Sequence, residues 1–209
     1  MTTRTSTRIV AALAALAATV FMSACTKSEP ASDGHTDHVH PEESQTPVIS
    51  GEPAAYNADD VSFATHMVPH HQQAIELSAL VPDRSTNPEV LELAKTIQAS
   101  QEPEIATMKA FLVQWNENPD TATGHEGHDM SGMQGMVDPA TMARLESLKG
   151  PEFDKLWLDS MIGHHQGAIE MAKAELANGE NVDAKNLAQH VIDAQQAEID
   201  QMRTMLEGG

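Results

Sequence analysis

Two segments of this 209-residue chain are close copies of each other. MVPHHQQAIELS occupies residues 67–78 and MIGHHQGAIEMA residues 161–172, at an offset of 94. The copying extends further along the chain. Gln101, Glu104, Ile105, Met108 and Leu112 recur at the same offset as Gln195, Glu198, Ile199, Met202 and Leu206. These residues return at i, i+3, i+4 and i+7, the period of a helix with one buried face. The repeated unit is therefore a helical hairpin, and a lone hairpin has nothing to bury its apolar face against. Two of them packed face to face give an all-α four-helix bundle with an approximate internal twofold.

Local punctuation places the helices. Asn57 to Asp60 offer caps for a first helix over about 60–81, which stops at Val81-Pro82. Pro88 opens a second over about 88–115, in which Pro103 predicts a kink or a break. One short extra helix, about 139–148, follows Asp138-Pro139. A third long helix covers about 152–177 and ends at Asn178-Gly179, and a fourth covers about 182–207. No stretch alternates with period two. With aromatics at 3% and 12 methionines, a core of Ala, Leu, Ile and Met suits helices better than sheets.

Outside this bundle domain, taken as residues 59–209, the sequence changes character. Residues 1–24 read as a lipoprotein signal peptide: two arginines, the apolar run IVAALAALAATVFM, then MSAC. That ending resembles a bacterial lipobox, in which cleavage precedes the cysteine and lipid is attached to it. Cys25, the only cysteine, is the expected lipidation site; an ordinary cleaved signal is the alternative. The expectation is an extracytoplasmic, membrane-anchored lipoprotein, in the periplasm or at the cell surface, without disulfides. Residues 25–58 read as a flexible tether, rich in Ser, Thr, Pro and acidic residues, that carries His35, His38 and His40. Acidic residues outnumber basic ones 31 to 12, a formal charge of −19. That excludes nucleic acid as a partner and suits a protein that meets cations.

On a helical wheel Phe63, Met67, Ala74, Ser78 and Val81 share a stripe, and His70 and His71 flank its midline. Met161, His164 and His165 repeat the arrangement. The second helix of each hairpin carries a glutamate on its inward face, Glu104 and Glu198. A buried lone carboxylate is costly, so the facing imidazoles are its expected partners. Glu76 and Glu170 also recur, but they lie opposite the stripe and read as a solvated face. Two interpretations compete. In one, the histidines are core polar groups satisfied by the glutamates, and the methionines fill gaps. In the other, imidazoles and the thioethers of Met67, Met108, Met161 and Met202 ligate a metal, while Glu104 and Glu198 orient the rings by accepting their second N–H. Four histidines, four methionines and two glutamates kept in register in both halves favour the second. Thioether with imidazole and no thiolate suits Cu(I), and by the same softness silver. Zinc gains little from Met. The Glu-x-x-His spacing of di-iron bundles is absent from both repeats.

The connection between the hairpins, 116–137, contains GHEGHDMSGMQGM. It adds His125, His128, Met130, Met133 and Met136 as candidate ligands, the methionines spaced by three, with glycines that let the chain wrap an ion.

At these paired motifs, with QEPEIATMKAFL and QQAEIDQMRTML following them, the chain resembles the domain of unknown function 305 family over about residues 59–207. The resemblance implies a ferritin-like helical bundle. It also implies exported copper binding through Met67, His70, His71, Met161, His164 and His165, in proteins implicated in copper resistance. Two departures stand out within the repeat: Pro103 faces Ala197, and His66 faces Ser160. The sequence contains no nucleophile–base–orienter set, phosphate loop or cofactor turn. The expected function is therefore non-enzymatic binding of copper ions in buffering, resistance or chaperoning, with a copper-acceptor protein as onward partner. A structural or partner-docking bundle and a metal-dependent redox enzyme are the alternatives.

Overall fold

The computed structural model describes residues 54–120 and 133–208. Five helices run through them: α1 (Ala58–Ala79), α2 (Pro88–Gln114), α3 (Pro139–Ser147), α4 (Pro151–Asn178) and α5 (Val182–Gly208). A single 3-10 turn, Val81–Asp83, separates α1 from α2, and there is no strand among the described residues. The helix ends are where the local chemistry puts them. Asn57 accepts from the backbone N–H of Asp59 and Asp60, and the Asp60 carboxylate accepts from the Asn57 N–H, a reciprocal capping box. Asn87 and Asp138 cap α2 and α3, each followed by proline in the first turn.

The break expected at Pro103 does not occur. Helix α2 runs continuously through it, as α1 runs through Pro69. A proline inside a helix removes one N–H bond, but around Pro103 the side chains of Gln101, Glu104 and Met108 are buried. Their tertiary packing outweighs the local propensity.

The buried apolar residues fall into two clusters. One joins Ala74 and Leu77 with Leu93, Ile97, Phe153, Trp157, Met161, Ile199 and Met202. The other joins Phe63 and Met67 with Met108, Leu112, Ala168, Ala172, Ala188 and Val191. Each long helix begins in one cluster and finishes in the other. Helices α1 and α5 run one way and α2 and α4 the other, so every packed neighbour is antiparallel. The path from α2 to α4 must therefore return along the bundle, a crossover of the ferritin-like kind. It carries α3, which buries Leu145 in the first cluster.

The α1–α4 seam is fastened at both ends. The Trp157 indole N–H donates to the Leu77 carbonyl at 2.9 Å. At the far end the buried Asp60 carboxylate accepts from the backbone N–H of Glu180 and Asn181, at 3.1 and 2.9 Å. One aspartate thus caps α1 and holds the turn into α5. Buried Glu175 lies beside it; burial first, then the Asp60 carboxylate, pushes Glu175 up to about 8.

The native chain thus keeps the Glu175 proton up to about pH 8, while the unfolded chain releases it near 4.5. Its stabilising contribution is complete below 4.5 and is lost as the pH rises through 8. Thermal melts between pH 6.5 and 8.5 should show the wild type losing stability as pH rises, and Glu175→Gln with a flatter profile. Equal slopes would remove Glu175 as the cause.

Candidate metal centre

A polar layer separates the two apolar clusters. It is built from His70 and His71 of α1, Gln101 and Glu104 of α2, His164 and His165 of α4, and Gln195 and Glu198 of α5, all of them buried. In the first hairpin His71 donates through Nε2–H to Glu104 Oε2 at 2.8 Å. In the second, His165 donates to Glu198 Oε2 at 2.7 Å. The buried carboxylates have found the imidazoles that the wheel set opposite them. Antiparallel pairing that matches 71 with 104 also brings 67 level with 108, one turn along. Met67 and Met108 accordingly share the second cluster, fully buried, and Met161 and Met202 share the first. The two halves meet at the twofold, where the His70 and His164 rings lie 3.8 Å apart between centroids and are tilted by 38°.

What these rings lack matters as much as what they touch. Both nitrogens of His70, both of His164, and Nδ1 of His71 and His165 have no hydrogen-bond partner. Neither end of the Gln101 amide has one either. A buried polar group without a partner costs about 1–3 kcal/mol, so the bundle carries at its centre a layer that destabilises it. Burial first, then neighbouring His71, pulls His70 down to about 3. Burial and then His70 hold His164 well below its ordinary value. At neutral pH these two rings are uncharged and keep a lone pair free for an electrophile. The glutamates hold the Nε2 protons of His71 and His165, which leaves Nδ1 as the free donor, the arrangement of a metal-ligating histidine.

Among the described residues, no three His, Cys, Asp or Glu side chains surround a common point. The layer's two carboxylates are engaged by His71 and His165. The donors it offers are neutral imidazoles flanked by thioethers, a set suited to a soft monovalent ion.

The structure gathers the four histidines in one layer, with Met67 and Met108 in one flanking cluster and Met161 and Met202 in the other. Met133 and Met136 lie elsewhere, half-buried on the crossover. Residues 133–137 cross the outside of α4 as a strap. The Gln73 amide clamps it, donating to the Val137 carbonyl at 2.9 Å and accepting from the Val137 N–H at 2.7 Å. Gly135, at φ +87°, seats on α4: a Cβ there would lie 2.7 Å from the Gly163 carbonyl. Gly167 meets the Gln134 carbonyl so closely that a side chain would displace it. This explains Gly167 where the first motif has Gln73; a Cβ at Gly163 would meet nothing. Cys25, His125, His128 and Met130 lie outside the described residues. Glu76 and Glu170 are exposed, as the wheel requires.

The repeat logic missed His190, whose Nε2 is 3.7 Å from Glu104 Oε1. Gln101, which the repeat placed on the inward stripe beside Glu104, is a member of the layer. His190 stands where the first copy has Thr96, so the available signal was the departure from the repeat.

The model of the domain of unknown function DUF305 matches residues 60–206. The chain belongs to this family. Among solved structures it is similar to a DUF305 fragment from Deinococcus radiodurans, at 32% identity and TM-score 0.67, over 76% of this chain and 100% of that one. It is similar to a DUF305 protein from Streptomyces coelicolor, described as secreted, at 32% identity and TM-score 0.62, over 72% and 91% of the two chains. It is also similar to CopM, solved in a Cu(I)-bound form, at 31% identity and TM-score 0.61, over 71% and 96%. CopM has been solved with Cu(II) and with Ag as well. Among curated proteins, the uncharacterized L153 of Acanthamoeba polyphaga mimivirus is 37% identical over 54 residues, 26% of this chain and 36% of that protein.

If that layer is a source of instability in the metal-free protein, His70→Leu/His164→Leu should raise the melting temperature measured in chelator. The expected gain is about 1–3 kcal/mol per ring relieved. A lower melting temperature would show that the rings are satisfied and structural.

Proposed function

We propose that this DUF305 bundle is an extracytoplasmic carrier of soft monovalent metal, Cu(I) first and Ag(I) by the same chemistry. The observation that carries the reading is the set of six unpartnered imidazole nitrogens inside the bundle, with four buried methionines one turn to either side. A buried polar layer without partners is kept where something other than stability is served. Imidazole with thioether is the donor set that selects Cu(I) without thiolate chemistry. The Cu(I)-bound and Ag-bound forms of CopM support the same cargo class.

The role is storage and transfer rather than catalysis. Bound in the layer, the ion is enclosed by two apolar clusters, and the Glu104 and Glu198 carboxylates keep the rings aimed. Export follows from the apolar run before Cys25 and agrees with the description of the Streptomyces relative as secreted. Lipid on Cys25 anchors the bundle to a membrane, and an acceptor protein takes the ion onward.

Anaerobic Cu(I) titration against a chelating competitor tests the site. Wild type should bind, and His70, His71, His164 and His165 all changed to Ala should lose the tightest equivalent. Because a ligand selective for the native state stabilises it, Cu(I) should also raise the wild-type melting temperature and leave the variant's unchanged. Equal stoichiometry and affinity in both proteins would reject the layer as the site.

A further inference from the structure

We propose a second soft-metal site on the surface of the same bundle, built from His66, Met133 and Met171, at which the ion is taken up before it enters the histidine layer. The proposal rests on the carrier reading above. The three side chains line one groove of about 270 Å³ between the first half of α1, the second half of α4 and the strap, with Phe63 as its apolar floor.

His66 is exposed and already oriented. Its Nδ1 lies 2.7 Å from the Ser62 carbonyl, so Nδ1 carries the proton and donates it there. Nε2 is left as a lone-pair donor. A backbone carbonyl holding the far N–H is how proteins fix a ligating imidazole. Met133 and Met171 are half-buried at the same groove, so both thioethers line a space that an ion can enter.

The duplication supplies an internal control. At the offset of 94, His66 corresponds to Ser160 and Met171 to Leu77. Each of those pairs puts a donor on one side of the twofold and none on the other, and the strap that brings Met133 seats on Gly163 and Gly167 of α4 and is clamped by Gln73 of α1. Two departures from the repeat and the one-sided strap therefore meet at one groove. Ser160 in the second copy and Leu77 in the first hold the corresponding positions without a metal donor. His66 also lies one turn from His70 on the same helix face, so the groove adjoins the layer.

Methionine methyl NMR on the full chain, labelled at Met and titrated anaerobically with Ag(I), reads the two sites separately. The Met133 and Met171 methyl signals are expected to shift, as are those of Met67 and Met161. His66→Ser/Met171→Leu, which installs the residues of the other copy, should bind one equivalent less Ag(I) and still show the Met67 and Met161 shifts. Unmoved Met133 and Met171 signals beside shifted Met67 and Met161, or unchanged stoichiometry in the variant, would overturn the groove and leave the carrier reading intact. Shifts at the groove alone would uphold this site and reject the layer. No shift at any of the four would reject both.

Discussion

The hydrogen bonds from His71 to Glu104 and from His165 to Glu198 set the level at which the two helices of each hairpin pack. Each crosses one hairpin and neutralises the cost of burying a carboxylate among apolar side chains. Sliding either helix by a turn would leave the glutamate buried without its partner. The pairs therefore select one register, a specificity that apolar packing alone supplies weakly. Everything else at this level follows from that register: methionines matched across each hairpin, apolar clusters above and below, and His70 against His164, tilted by 38°, at the twofold.

The same register leaves a residue of unsatisfied groups. Glutamate oxygens reach only one nitrogen of His71 and of His165, and no side chain hydrogen-bonds to His70 or His164. In a core this tightly packed the alternatives are water, an ion or a standing penalty. The apolar clusters on both sides, each with fully buried aliphatic or aromatic side chains contributing about 1.5–3 kcal/mol apiece, allow the bundle to stay folded while holding such a layer. Stability is concentrated at the two ends of the bundle and chemistry at its waist.

Symmetry is kept in the interior and broken outside. The layer and its methionines are duplicated, but the strap, His66 and Met171 belong to the α1–α4 side only, and His190 has no counterpart either. An interior site between two copies of one hairpin has reason to stay symmetric, since both halves face the same space. A route in or out needs only one side, and the strap, anchored by Gln73 and seated against Gly163 and Gly167, distinguishes that side.

Much of this was readable from residues alone. The offset of 94 implied two hairpins, period 3.6 placed the histidines inward, and the asparagine, aspartate and proline signals located the helix ends to within about two residues, because capping and periodicity are local. Pro103 misled for the same reason: one lost N–H is a local penalty, and the buried neighbours that override it come from other helices. The wheel could show that Glu104 faces inward but not that it meets His71 rather than His70, nor that His70 would face His164. Those pairings, and the strap's seat on α4, join residues up to 94 positions apart. Sequence determined which donors turn inward; only the antiparallel packing of four helices decided which of them keep a partner and which are left bare.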